Sequence, residues 1–458
     1  MKKQVKKDVE GQNPLLSNYS GLAQEHNKIP RDLYEKYSVK RGLRNPDGTG
    51  VVVGLTEVGE VHGYIMEEGD KIPHPGRLRY RGYDLYDLVE GFQKEDRFGF
   101  EETCFLLLLG KLPTKSELDD FNYYLGQHRE LPDGFIEDMI LKAPSDDIMN
   151  KLARSVLACY TFDDDPDNLD ISNIVKQSMT LIAQLPVMAA YAYQAKNHYY
   201  DRQSLHIHAP EPGFSTAENI LRLLRPNKKF TKLEAEILDL SLVIHAEHGG
   251  GNNSAFTMHV VSSSGTDTYS SVSSAIGSLK GPLHGGANIK VRQMMEDAMN
   301  TIQNWDNAEE VEKYIRSLLN KEAFDKSGLV YGMGHAIYTI SDPRAVLLKK
   351  KARSLAIEKG REKEFHLYHL IETLTPKIFQ DFKKTDRVMC ANVDLYSGFV
   401  YNMLSIPWEM FTPIFAIARI SGWCAHRIEE IVSGGKIIRP AYKAVAKKHL
   451  YSDIFERT

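Results

Sequence analysis

A mostly α-helical fold with a few short N-terminal strands, divided into two domains, is what this 458-residue sequence predicts. Three features carry that expectation. Apolar residues recur at helical spacing along most of the chain beyond Asp84. Short β-branched and aromatic runs broken by Gly and Pro are confined to residues 51–80. The length also exceeds what a single core usually serves, so two domains are expected.

The bulk numbers narrow the class. Hydrophobic residues make up 42% and charged residues 26%, with a formal net charge of −4 and a pI near 6.5. A nucleic-acid surface usually needs a strongly basic domain, so none is expected. No apolar run approaches the roughly 20 residues that span a bilayer, so no membrane partner is expected either. The opening MKKQVKKDVEGQNP has lysines without an apolar stretch behind them, which fits neither a secretory nor a mitochondrial leader. Cys104, Cys159, Cys390 and Cys424 are far apart with no CxxC pair, and read as buried free thiols of a cytoplasmic protein.

Taken in order, residues 1–50 read as a polar extension, with one or two short helices within 1–48. Residues 51–56 (VVVGLT), Val61–Ile65 and Leu78–Tyr80 read as small strands. Helical periodicity then places helices at 84–92, 101–110, 150–161, 172–195, 216–225 and 232–247. Segment 196–215 has three histidines and two prolines but no acidic or cysteine partner at ligand spacing, and reads as an exposed loop. Segment 268–279, TYSSVSSAIGSL, is built from small residues that allow close approach, so it is placed in a tight helix–helix contact. Helices resume at 288–303, 308–319, 343–359 and 363–383. A short loop with a strand-like VMCANV follows at 384–393. An apolar helix, 409–432, and a polar tail end the chain.

Three places break this pattern with histidine beside glycine. They are HAEHGGGNNS from His245 through His248 and Asn252, GPLHGGAN around His284, and GLVYGMGH from Gly328 to His335. Each histidine is placed at a helix end, where glycine permits positive φ and close ligand approach and where free amides attract anions. One such motif could be a cap or a satisfied turn; three within residues 245–335 point to a site. Next comes Asp342-Pro343-Arg344. Asp342 is a good N-cap and Pro343 a natural first helical residue. Arg344 then opposes the helix dipole, which suits either carboxylate binding or a solvated surface cation. Asp394 stands in an apolar, small-residue stretch, where burial would raise its pKa and suit it to act as a base. Arg419 sits on an apolar helix and should meet an anion, because an unpaired buried cation is costly. Arg439 is a third isolated arginine. Arginines for carboxylates, neutral histidines as donors and an aspartate as base suit a dianionic substrate and an enolising carbon acid.

HAEHGGGNNS, GPLHGGAN, GMGHAIY with DPR, NVDLYSG, FAIAR and IRPAY occur in the order and approximate spacing of the citrate synthases, and the sequence resembles that family over roughly residues 50–450. The resemblance implies an all-α homodimer. Its large domain would comprise 51–284 with 401–458, and its small domain, 285–400, would close over the substrates. The reaction it implies is acyl transfer from acetyl-CoA to oxaloacetate, followed by hydrolysis of citryl-CoA, as in the tricarboxylic acid cycle. Matched residue by residue, His284 would stabilise the enol, Asp394 would be the general base and His335 would polarise the oxaloacetate ketone. His248, Arg344 and Arg419 would hold carboxylates, with Arg439 contributed across the dimer interface. Asn252 and Phe415 would line the pocket. Gly328, Leu329, Val330, Tyr331, Gly332, Met333 and Gly334 would receive the adenine end of CoA.

No metal or other cofactor is implied, acetyl-CoA being a substrate. Gly249 departs from the Glu or Gln of many relatives, and residues 1–50 match no part of the pattern. The same residues would serve a 2-methylcitrate synthase acting on propionyl-CoA, since one methylene is worth only about 1–3 kcal/mol in a pocket. A metal-dependent hydrolase is the reading from another class. His245 and His248 are three residues apart rather than the four of HExxH, with no third local ligand. An inactive helical scaffold would be expected to lack His284, His335 or Asp394, and all three are present.

Overall fold

The computed structural model describes residues 14–45, 48–67, 70–386 and 388–457, in two units, Met1–Gly54 and Leu55–Thr458. The first holds α1 (Pro14–His26) and the single-turn α2 (Asp32–Lys36). Further on, Asn45 N–H donates to Thr49 O at 2.8 Å. Its described side chains are nearly all exposed.

The second unit begins with a three-stranded antiparallel sheet, β1 (Gly59–Glu67), β2 (Asp70–Tyr80) and β3 (Tyr83–Asp84), in the order β1-β2-β3. Two of the three expected strands lie inside β1 and β2. Residues 51–56 form none: Val52 and Leu55 are 86% and 94% exposed, so among the described residues no face covers the apolar run. β-propensity expresses itself only where a neighbouring strand and a core supply contacts.

Helices follow: α3 (Leu85–Lys94), α4 (Phe100–Leu109), α5 (Lys115–Gln127), α6 (Ile148–Ala158), α7 (Ile171–Tyr199), α8 (Thr216–Leu224) and α9 (Lys232–His245). Then come α10 (Asn253–Ser262), α11 (Thr268–Lys280), α12 (Ala287–Thr301), α13 (Ala308–Leu319), α14 (Pro343–Glu358), α15 (Glu362–Lys383), α16 (Val393–Met403) and α17 (Phe411–Val432). Local chemistry sets many of their starts. Thr114/Glu117, Ser215/Glu218 and Thr231/Glu234 form reciprocal capping boxes for α5, α8 and α9. Asp342 caps α14 with Pro343 in its first turn. α10 and α16, whose motifs drew attention only for their polar residues, are capped by Asn252 and Asn392.

The core gathers on helices buried almost all round. α4 hides Phe105–Leu108, α9 hides Ile237–His245, and α17 buries an unbroken run from Ala416 to Ile428. The small-residue α11 packs against α6 and α10, as its composition predicts. Among the described residues of 384–393 the strand-like reading reduces to one bridge, Met333 to Ala391. Cys104, Cys159, Cys390 and Cys424 are free and buried. Among the described residues no helix is long and apolar enough to cross a membrane.

Candidate active site

α17 carries two buried arginines, and their surroundings separate structure from function. Arg427 is satisfied by neutral groups: Nε donates to Thr268 Oγ1 at 3.1 Å, Nη1 to Ser262 and Ser271 Oγ, and Nη2 to Thr266 O. Arg419 donates only Nε, to His245 O at 2.7 Å. Its Nη1 and Nη2 are buried with no hydrogen-bond partner among the described residues. Burial, partly offset by Glu247, brings this guanidinium down to about 10. A buried fork with two unmet donors is costly; a carboxylate would satisfy both N–H groups at once.

Histidines surround that fork. The Phe415 ring lies 4.7 Å from the Arg419 guanidinium and 4.8 Å from the His245 ring. His248, in the turn between α9 and α10, meets His335 edge-on at 5.3 Å, and its Nε2 is likewise buried without a partner. Burial and the nearby Arg344 charge hold His248 well below the ordinary histidine pKa, so it is neutral. The turn has Gly249 at φ +82, a conformation that an L side chain adopts only with strain.

His335 sits in an irregular loop eight residues ahead of α14, not at a helix end as expected, and its hydrogen bonds assign its tautomer. Its Nδ1 accepts from Ile337 N and Tyr338 N, both at 3.1 Å, so the ring hydrogen of a neutral imidazole lies on Nε2. The ring stacks on Tyr338 at 4.7 Å. The loop is supported from beneath by the sheet. A Cβ at Gly76 would stand 2.1 Å from Ser341 O, and one at Gly63 would stand 2.7 Å from Ile337 O, so only glycine admits the contact.

Arg344 corrects the picture of a solvated or waiting cation. It is buried, and its Nε and Nη2 hold the two oxygens of Asp342 at 3.0 and 2.7 Å. Burial works against its charge, but Asp342 more than compensates and raises its pKa. The same carboxylate caps α14 through Arg344 N and accepts from Val393 N at 3.2 Å, tying α14 to the start of α16. Asn392 ties the loop that carries His335 to α16, accepting from Asp394 N and donating to Gly334 O, at 3.0 and 2.9 Å. Asp394 is thereby fixed in the first turn of α16. Burial pushes its carboxyl up to about 6; the Arg344 charge opposes that and Asp342 adds to it. A helix N-terminus alone would favour the anion, so desolvation wins here.

His284 lies in the turn before α12. Its pKa falls to about 4, mainly through burial and then through the Arg419 charge, so it too is neutral. Ser254 is a positioning residue that sequence reasoning passed over. Its Oγ stands 3.1 Å from His284 Nε2 and 2.9 Å from Asn252 Oδ1, and accepts from Trp423 Nε1 at 3.1 Å. The hydroxyl has one proton, given to Asn252 or to His284, and that choice sets which imidazole nitrogen carries hydrogen. The only sequence signal was Ser254's place two residues after a capping Asn.

Direct contacts and charge interactions thus link His248, His335, Arg344, Asp394, Phe415 and Arg419, and join His284 and Asn252 to them through Ser254 and the Arg419 charge. In the 328–334 loop, Gly328, Gly332 and Gly334 have positive φ, and Leu329 is 55% exposed. Arg439 does not join the group; it is exposed on the extended tail beyond α17.

Fold and site together define an all-α enzyme with an aspartate and neutral histidines around an unsatisfied, buried arginine. Residues 46–441 match the family described as citrate synthase, C-terminal domain. Citrate synthase of Haloferax volcanii is 33% identical over 425 residues, covering 92% of this chain and 99% of that protein. 2-Methylcitrate synthase 1 of Corynebacterium glutamicum is also 33% identical, with the same coverage of both chains. The crystal structure of citrate synthase from Pyrobaculum aerophilum superposes with a TM-score of 0.72 at 28% identity, over 91% of this chain and 97% of that one. The chain belongs to the citrate synthase family.

Proposed function

We propose that this enzyme is a citrate (Si)-synthase: it condenses acetyl-CoA with oxaloacetate and hydrolyses the resulting citryl-CoA to citrate and CoA, without metal or other cofactor. The observation that carries the reading is the Arg419 fork, whose two unmet N–H donors beside His248 suit one carboxylate of a dianion. Arg344 would take part in holding the other, with its side chain already oriented by Asp342. Asn252 and Phe415 line the pocket.

The chemistry follows from the protonation states. Asp394, at about 6, is mostly ionised at pH 7 yet basic enough to remove a proton from the thioester methyl. His284 donates to the thioester oxygen as the enol forms, a role that needs hydrogen on the ring nitrogen that faces the substrate. The enol carbon then attacks the ketone carbon while His335 Nε2–H stabilises the developing alkoxide. Water finally cleaves the citryl thioester and CoA leaves as the thiol. Residues 328–334 would receive the adenine end of CoA. We assign 51–284 with 401–458 as a large domain and 285–400 as a small one that closes over both substrates.

The enzyme would act as a cytoplasmic homodimer, in the tricarboxylic acid cycle, with Arg439 reaching the partner's site. What supports a second copy is the tail itself: Tyr442, Leu450, Tyr451 and Phe455 are each at least 88% exposed, an apolar surface suited to a partner subunit. Co-expressed mixed dimers carrying Arg439→Ala in one subunit should lose about one site, and full activity in them would contradict sharing.

A 2-methylcitrate synthase is the second reading, favoured by the Corynebacterium glutamicum relative at equal identity. Thiol release from acetyl-CoA and from propionyl-CoA, with and without oxaloacetate, tests both. Strict oxaloacetate dependence with acetyl-CoA preferred supports the proposal; a propionyl preference replaces it, and no release from either thioester overturns it.

A further inference from the structure

Against the glycine turn that follows His248 lies a second histidine pair; a Cβ at Gly250 would stand 3.4 Å from both rings. His259 of α10 and His426 of α17 point Nε2 and Nδ1 at each other at 3.2 Å. Each ring's other nitrogen is held by a carboxylate: His259 Nδ1 by Glu430 Oε2 at 2.9 Å, and His426 Nε2 by Glu247 Oε1 at 3.1 Å. Those carboxylates accept the outer ring hydrogens, so with both rings neutral the two facing nitrogens are lone pairs. Lone pairs at that distance repel unless a cation lies between them. A proton is the smallest cation that serves; a metal ion serves as well and takes a third ligand. Glu429 Oε2 stands 3.8 Å from His426 Nδ1, on the same side.

The geometry points to a site for a divalent transition metal, Zn2+ in the first place, bound by His259 Nε2, His426 Nδ1 and Glu429 Oε2. Tetrahedral bonds of about 2.0–2.1 Å to two imidazoles put their nitrogens about 3.3 Å apart, close to the distance observed. The three ligand atoms all lie within 4.8 Å of one another, so Glu429 Oε2 would swing inward to complete the triangle while its Oε1 accepts from Glu57 N at 2.7 Å. Outer carboxylates on both ligating histidines are the usual partners that orient such rings and raise their basicity. Two nitrogens and one oxygen suit Zn2+ or Co2+ and not the all-oxygen preferences of Mg2+ and Ca2+. The His259 and Glu429 side chains are 14% exposed, which leaves an approach from solvent. Bound there, the ion would clamp α10 to the end of α17. Through Glu247 it would also steady the peptide leading into His248.

The test uses the full chain, dialysed against chelator, titrated with ZnCl2 by calorimetry and with CoCl2 by visible absorption. One Zn2+ per chain is expected, uncompeted by excess Mg2+, together with the visible bands of low-coordinate Co2+. His259→Gln and His426→Gln should weaken binding at least about 100-fold, and Glu430→Gln about 10-fold. Circular dichroism establishes that each variant is folded. Because His426 is wholly buried, the partly exposed His259 gives the decisive variant should His426→Gln fail to fold. No saturable Zn2+ binding in the parent protein, absence of the Co2+ bands, or unchanged affinity in folded His259→Gln would each overturn the site. The first outcome would leave a proton as the bridge, and the last would assign the metal to surface histidines.

Discussion

Replacing Asp394 by Asn should remove most turnover and at the same time make the protein more stable. The carboxyl is pushed from its ordinary 3.8 to about 6 because its charged form is poorly solvated where α16 begins. That displacement corresponds to about 3 kcal/mol favouring the neutral group. Since the folded-state pKa of this acid is raised, the folded state binds the proton more tightly than the unfolded chain does. Its contribution to stability therefore grows as pH falls through about 6 and levels off below 3.8; above about 6 the full cost of the buried charge is present. The substituted amide would carry no charge at any pH. Asp394→Asn should thus gain up to about 3 kcal/mol at pH 8, and roughly half of that at pH 5, where the parent carboxyl is already mostly protonated. Denaturant unfolding of both proteins at the two pH values measures the gap, while thiol release should fall by about 10²–10⁴ as expected for loss of a general base. The parent's kcat/KM should also decline on the acid side with a midpoint near 6. A variant no more stable than the parent at pH 8, or a gap that does not shrink at pH 5, would refute the desolvation argument.

Three further outcomes follow from particular contacts. Arg419→Ala should raise the KM for oxaloacetate by about 30-fold or more, the equivalent of roughly 2 kcal/mol or above for a buried charged contact; Arg419→Lys should restore little, because an ammonium lacks the planar fork, and steady-state kinetics reads both. Ser254→Ala should lower kcat by about 10-fold or more with little change in KM for oxaloacetate, since it removes the group that sets the His284 tautomer; a change confined to KM would show that Ser254 has no such role. Asp342→Asn should destabilise the fold by about 3–5 kcal/mol, because it leaves Arg344 buried without its counter-ion and weakens the tie to Val393; chemical denaturation checks it, and a loss below about 1 kcal/mol would contradict the pairing.

The sequence by itself determined the helical class, most helix positions beyond Asp84 and the groups with chemistry in them. These depend on period, capping and glycine, all of them local: Thr114 with Glu117, or Asp342 before Pro343, can be read without knowing any neighbour in space. Three histidine–glycine motifs and one aspartate in an apolar stretch were legible for the same reason. Tertiary structure decided everything that depends on what lies opposite. Residues 51–56 had the composition of a strand and found no partner among the described residues. Arg344 and Arg419 looked alike as isolated arginines, yet one is held by Asp342 and the other keeps two unmet donors. Arg427, eight residues beyond Arg419 on the same helix, is satisfied by hydroxyls from α10 and α11 that no spacing rule connects to it. Ser254 became a positioning residue, and His259 met His426 across 167 positions of chain, only because α10 packs on α17. Hydrogen bonding and desolvation act through space over a few ångströms, and the order of residues along a chain records such proximity only where the chain itself is the shortest path.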